Sequence, residues 1–405
     1  MDEAVFPDVS YSQWLESAEH FLKGKSFATL VRHTESGIAR GPLFTERDLP
    51  AALARFGRID VPNLDGRPWH ILAPVRGPDI AHANDQALAD LEGGASALYI
   101  EPADLSIERR ADIDRLLEGV FTDLAPIVVA PGSRNRDIAE LLVGMEGLSS
   151  AHVCLGLDPA EIDDLSAYPD NWRALTIAPS RLHELGAGPV LELAVLAAQA
   201  ADAFREFGHQ TPDHLVIEIA ADQDAHLGIA KFRTARRLTS RIAEAFGASG
   251  KAIPIHAISS LRMMQAQDPW TDLLRVCNAT FGAVVGGADF MLARPFTDAL
   301  GAATPFAHRL ARNTQLLMME ESHLGHAQDA AFGSYWHESV GERLAVAAWL
   351  LFQEIEAVGG LATFLTSGEL ERRLKADREA RSREPVLGVT LHPRPDDVPL
   401  PEVRA

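Results

Sequence analysis

Short apolar runs alternate with longer amphipathic segments along most of this chain, and that alternation sets the first expectation about its fold. The apolar runs are "PWHILAPV" (68–75), "SALYIEP" (96–102), "APIVVAP" (125–131), "AHVCLGLDP" (151–159), "WRALTIAP" (172–179), "HLVIEIAA" (214–221), "AIPIHAISS" (252–260) and "ADFMLARPF" (288–296). Each has the length of a buried strand. Helical patterns separate most of them, among them "DIAHANDQALADLEGG", "SIERRADIDRLLEGV", "AVLAAQAADAFREFG" and "AKFRTARRLTSRIAEAFG". Eight strands alternating with helices predict an α/β fold, and favour a closed (β/α)8 TIM barrel over a doubly wound open sheet.

Two regions fall outside the alternation. Residues 1–50 form an N-terminal helical arm, and the barrel occupies 51–364. Residues 365–405 begin as the charged helix "ELERRLKADREARSRE" and end in the Pro-rich "LHPRPDDVPLPEVRA", which reads as a linker or packing tail. In the arm, Val5, Phe6, Trp14, Leu15, Phe21 and Leu22 lie on a short polar segment that cannot bury them internally. An exposed apolar set of that kind marks a subunit contact; the alternative is an arm folded back on its own barrel.

Composition narrows the partners. A formal charge of -20 opposes any extended contact with nucleic acid, because phosphate binding needs a Lys/Arg surface. The amino end has no basic leader, and no run approaches the roughly 20 apolar residues that span a bilayer. Cys154 and Cys277 each sit inside an apolar run and read as buried thiols. The expected compartment is the cytoplasm, with no membrane and no nucleic acid as partner.

The polar clusters carry little chemistry of their own. In "HLGHAQD", His323, His326 and Asp329 have a spacing that would suit metal ligands only on one helical face, and Gly325 breaks that helix, so a surface loop is expected. In "DAHLG", Asp224 precedes a helix and reads as a capping carboxylate; the Asp224, His226, Gly228 spacing is one residue short of Asp-x-His-x-x-Gly. His256 and Ser260, expected at the end of the seventh strand, are better placed for barrel chemistry. The glycines of "VVGGAD" turn a helix tightly into a strand. The eighth strand delivers Leu292 to a position where such an enzyme would place a donor.

The segments "FATLVRHTESGIARGPLFTERDLP", "RPWHILAPVRGPDIAHANDQAL", "IAKFRTARRL", "DPWTDLLRVCNATFGAVVGGAD" and "HRLARNTQLLMMEESHLGHAQDAAFGSYWHESV", followed by "FQEIEAVGG", resemble the substrate barrel of the methylmalonyl-CoA mutase family from about residue 10 to 390. The resemblance implies a (β/α)8 barrel and, in the parent enzyme, an adenosylcobalamin-dependent rearrangement of methylmalonyl-CoA to succinyl-CoA. It also implies three functional positions: a tyrosine five residues after the tryptophan of Arg-Pro-Trp, an arginine two residues before the strand-seven histidine, and a histidine on strand eight. Counting from Trp69 and His256, these are Pro74, Pro254 and Leu292. The resemblance therefore implies no catalytic residue on this chain. The chain also ends before a flavodoxin-like cobalamin domain, so the cofactor is expected on a partner chain.

That pattern is most similar to the noncatalytic small (beta) subunit of the heterodimeric mutases, paired with a catalytic large subunit. A shortened subunit or a piece of a longer chain would each account for the missing domain. Two alternatives stay open: a catalytic acyl-CoA mutase barrel using a separate cobalamin-binding chain, and an acyl-CoA-binding protein. The latter rests on Arg67, which matches a family position near the CoA chain.

Overall fold

A computed structural model describes residues 9–51, 53, 67–395 and 397–403. Eight parallel strands close into a barrel. In chain order they are β1 (His70–Val75), β2 (Ala97–Ile100), β3 (Ile127–Val129), β4 (Val153–Leu157), β5 (Trp172–Ile177), β6 (Leu215–Ala221), β7 (Ile255–Ser259) and β8 (Phe290–Leu292). Every apolar run picked out from the sequence contains one of them. Closure is made by β8, in which Phe290 pairs with His256 of β7 on one side and with His70 of β1 on the other.

Alternation along the strands sorts the core into two parts. Residues such as Ile71, Ala73 and Val75 point outward into a large apolar layer shared with the helices. Leu72, Tyr99, Val128, Val216, Phe290 and Leu292 belong to a separate buried cluster that fills the lumen. The barrel is thus a packed core with no open bore. Between Pro269–Val285 and β8 the chain needs a tight turn: Gly287 has φ +93°, and a Cβ on Gly286 would come within 2.8 Å of Gly282 O and Phe232 Cβ.

The most deeply placed helix, Pro189–Phe207, is apolar nearly all round and packs beneath the helices Ala225–Ala245 and Tyr335–Ala357. Its one acidic side chain facing the interior, Glu192, is fully buried and paired: Oε1 accepts from Ala220 N at 3.0 Å and Oε2 from Lys231 Nζ at 2.7 Å. His183 lies alongside, with Nδ1 3.5 Å from Glu192 Oε2 and Nε2 3.4 Å from Asp222 Oδ2. Asp222, just past β6, also receives Arg262 at 3.2 Å and Arg381 at 2.7 Å.

Arg381 ends the helix Glu369–Arg381, so the tail is docked and not linker-like. Asp377 on the same helix accepts Gly188 N at 2.7 Å. Farther along, Trp270 Nε1 donates to Pro399 O at 2.9 Å, which fastens the Pro-rich end to the Pro269–Val285 helix. Proline carbonyls accept bonds without offering a competing N–H, and the sequence shows no sign of this docking.

The arm divides in two. Residues 32–50 lie on the barrel: Phe44 is buried against Trp336, Arg40 pairs with Asp224, and Ser339 Oγ donates to Asp48 O at 2.5 Å. The helix Tyr11–Phe21, capped by Ser10, buries none of its residues; Trp14 packs on Phe27 and Tyr11 of the arm itself, Arg47 lies over the Tyr11 ring, and Phe21 is 84% exposed. Val5 and Phe6 lie outside the described residues.

The buried ion pairs give the fold a pH signature. Burial pushes the Glu192 carboxyl up, but Lys231 and His183 more than offset it and hold it down to about 2, against 4.5 for a free glutamate. Asp222 is likewise held well below the usual carboxylate range by His183, Arg381 and Arg262, against the opposing effect of burial. Between those values the unfolded chain binds protons that the native chain refuses, so stability falls as pH falls. Urea unfolding should show native stability at neutral pH and lose on the order of 3 kcal/mol between pH 4.5 and 2, a slope that Glu192→Gln flattens. Asp222→Asn should cost about 3 kcal/mol at pH 7 and expose the Glu369–Arg381 helix to limited proteolysis.

Candidate functional site

The carboxyl ends of the strands surround a cavity of about 460 Å3. Its floor is the Glu218 carboxyl, the fourth residue of β6, placed on the lumen side with Val216 by strand alternation. Tyr99 Oη donates to Oε2 and Ser180 Oγ to Oε1, each at 2.7 Å. All three side chains are buried. Burial raises the Glu218 carboxyl above its ordinary range, with Ser180, Tyr99 and Arg181 opposing that shift without cancelling it. Tyr99 is pushed well above the usual phenol, first by burial and then by the carboxylate it faces.

One wall is an ion-pair cluster that ties three strand ends together. Arg294 Nη1 lies 3.3 Å from Glu101 Oε1, and Arg76 holds Asp298 through 2.5 Å and 3.0 Å contacts. The opposite wall is built by the loop after β3. There Arg134 gives its guanidinium to the carbonyls of Pro102, Leu105 and Ile107, and Asn135 Nδ2 bridges Ala130 O and Leu155 O. Gly156, at φ +69°, leaves room for that amide: a Cβ there would come within 2.3 Å of Asn135 Nδ2. Ile258, Ala220 and Ala130 complete an apolar middle.

The amino end of the barrel is different in kind. His70 and His256 flank the Phe290 ring at 4.5 Å and 4.4 Å. Burial, with Arg173 and His70 nearby, drives His256 down to about 3, so it is neutral at pH 7. Cys154 is buried in the same lumen and its thiol is pushed up to about 12, which leaves it unreactive; Cys277 is half-buried.

These two ends separate the residues singled out from the sequence. Pro74 is on β1 beside Tyr99, and Leu292 closes β8 beside Ile258 with 0% exposure, so both lie in the mouth half of the lumen. Pro254 lies one residue before β7, where its carbonyl accepts Ile217 N at 3.0 Å. It is at the opposite end from Leu292, and the three positions do not form one cluster. His256 is likewise second in β7, not at its end; only Ser260 is at the mouth, where its Oγ accepts Arg262 N at 3.1 Å. Arg67 precedes β1 and donates to Gly94 O at 2.8 Å, also at the amino end. Asp224 caps its helix by accepting Leu227 N at 3.0 Å, and His323 and His326 occupy a loop after Glu321. Glu218, Tyr99 and Ser180 were not singled out. Their signal was a glutamate at an inward position of an otherwise apolar strand.

Fold and mouth together define a (β/α)8 barrel with a packed lumen and a carboxylate-floored cavity at the end where such barrels hold their ligands. The family described as methylmalonyl-CoA mutase matches residues 163–387, and this chain belongs to that family. It is 34% identical to the methylmalonyl-CoA mutase small subunit of Streptomyces virginiae, over 96% of this chain and 71% of that protein. It is 36% identical to a probable methylmalonyl-CoA mutase small subunit of Mycobacterium bovis, over 79% of this chain and 58% of that protein. Identity to the small subunit of Propionibacterium freudenreichii subsp. shermanii is 30%, over 96% of this chain and 69% of that protein. Among the described residues no helix is long and apolar enough to cross a membrane.

The lumen packing makes position 292 a sensitive one. Leu292→Ala should cost about 2–5 kcal/mol by urea unfolding, since the cavity it leaves is walled by strands that cannot collapse. Leu292→His should unfold at lower urea than wild type as well, because its imidazole would enter an apolar layer with few partners.

Proposed function

We propose that this chain is a noncatalytic small subunit of an adenosylcobalamin-dependent methylmalonyl-CoA mutase, supporting a catalytic large subunit in a heterodimer. Relatives carrying the small-subunit name support the reading. The observation that carries it is the lumen. Leu72, Phe290 and Leu292 fill the barrel axis and leave no room there for an acyl chain, and the Glu218 carboxyl at its mouth would repel a dicarboxylic acyl group. Pro74 and Leu292 offer neither a hydrogen-bond donor nor a positive charge. A chain of acyl-CoA length held by Arg67 at the amino end would meet the same packed layer, which weighs against the acyl-CoA-binding alternative.

The cofactor does not suit this mouth. A cavity of about 460 Å3 holds a ligand of metabolite or drug size, not a corrin with its nucleotide tail. The nearby histidine, His183, is enclosed by Glu192 and Asp222. In this reading the partner chain holds the cobalamin. The arm helix, with Phe21 in water and no buried side chain, is the surface assigned to the large subunit.

Two measurements test the reading. Removing residues 1–31 should leave the melting temperature unchanged within about 2 °C, since the described part of that segment buries little apolar area, and should weaken co-purification with the large subunit at least roughly tenfold. Assembly at wild-type affinity would return the arm to a self-packing role. The unsubstituted chain should give no methylmalonyl-CoA isomerisation when a separate cobalamin-binding chain is supplied, and turnover in that mixture would favour the catalytic-barrel alternative; Leu292→His should not create activity either, because catalytic groups act as a unit.

A further inference from the structure

The mouth cavity has an asymmetry that a subunit role does not use. Its deep end presents acceptors. Each Glu218 oxygen takes one donor, from Tyr99 or Ser180, and keeps lone-pair capacity toward the cavity. Asn135, fully buried in the adjoining wall, spends its amide protons on two carbonyls and leaves Oδ1 without a donor. Its outer end is mixed in charge: Arg294 faces Glu101 at 3.3 Å, Glu184 lines the same rim, and one cation stands apart from these pairs. Arg181 is exposed at the rim with no ion pair among the described residues, and the Arg294 guanidinium closes the facing side. The strip between them is apolar, from Ala130, Ala220 and Ile258.

A buried carboxyl with spare acceptor capacity, lining a cavity, asks for a donor-rich group. A rim arginine asks for an anion. The apolar strip between them sets a hydrocarbon spacer. We infer that the barrel mouth is a binding site for a small amphoteric molecule, with a primary ammonium directed at Glu218 and a carboxylate held at Arg181. The same arrangement rejects simple carboxylic acids, which would bring like charge to the floor. This inference stands apart from the subunit role, since a noncatalytic barrel can bind a small ligand whether or not it assembles with a partner.

The test uses the whole chain and the ω-amino acids from 4-aminobutyrate to 8-aminooctanoate, each compared with the alkylamine and the carboxylic acid of the same length, by calorimetric titration and thermal shift. At least one amino acid should bind at submillimolar concentration and roughly tenfold more tightly than either singly charged analogue. Glu218→Gln should abolish the preference for amine-bearing probes. Arg181→Ala, an exposed substitution that leaves the core intact, should reduce the amino acid to the affinity of the bare amine while leaving the amine itself unchanged. The inference is overturned if no member of the series binds, if the carboxylic acids bind as well as the amino acids, or if Arg181→Ala leaves the amino-acid affinity as it was. Retained amine preference in a folded Glu218→Gln variant would overturn it too.

Discussion

The Glu192–Lys231 pair, sealed from water at 2.7 Å, ties the deepest helix to its neighbour and to β6. Two full charges in a dry interior are tolerable only with further polar partners, and Glu192 has them: Ala220 N donates to Oε1 and His183 Nδ1 lies 3.5 Å from Oε2. Because Ala220 is on β6, the pair sets the height of that strand against the helices behind it. Two residues farther on, Asp222 inherits the position and gathers Arg262 and Arg381. Arg381 also reaches Glu35 of the arm at 3.2 Å, so the barrel-bound part of the arm, the barrel and the tail helix meet in one charge network.

The same register places the cavity floor. Glu218 faces the lumen two residues before Ala220, so the contact that locks β6 also decides how deep the carboxyl sits and which hydroxyls reach it. The mouth owes its geometry to a salt bridge on the far side of the sheet. A change at Lys231 would be felt at Glu218 through strand height, without any contact between the two side chains.

Much of the barrel was legible in the sequence, because buried parallel strands are short apolar runs and all eight stood out. The Asp224 cap and the His323 loop were readable for local reasons: helix starts and glycine breaks depend on near neighbours. What failed was depth along a strand. The run "AIPIHAISS" announces a strand without saying where pairing begins, and taking its histidine for a terminal residue moved Pro254 and His256 from one end of the barrel to the other. Whether the tail is a linker or packs on the barrel was left open for a related reason, since the partners of Asp377 and Arg381 are nearly 200 and about 160 positions away in the chain. Glu218 could have been found from its parity with Val216, but only by treating a lone acid in a strand as a signal in its own right.

The filled lumen also shapes what mutation can reach from here. In an open barrel a new hydrophilic side chain near the axis begins in solvent and costs little until it becomes useful. In this one each such change must first break an apolar layer built from several strands at once, and the loss arrives before any gain. The packed axis therefore works as a ratchet: small steps away from it meet a stability barrier, and only several coordinated replacements would reopen a path through the barrel.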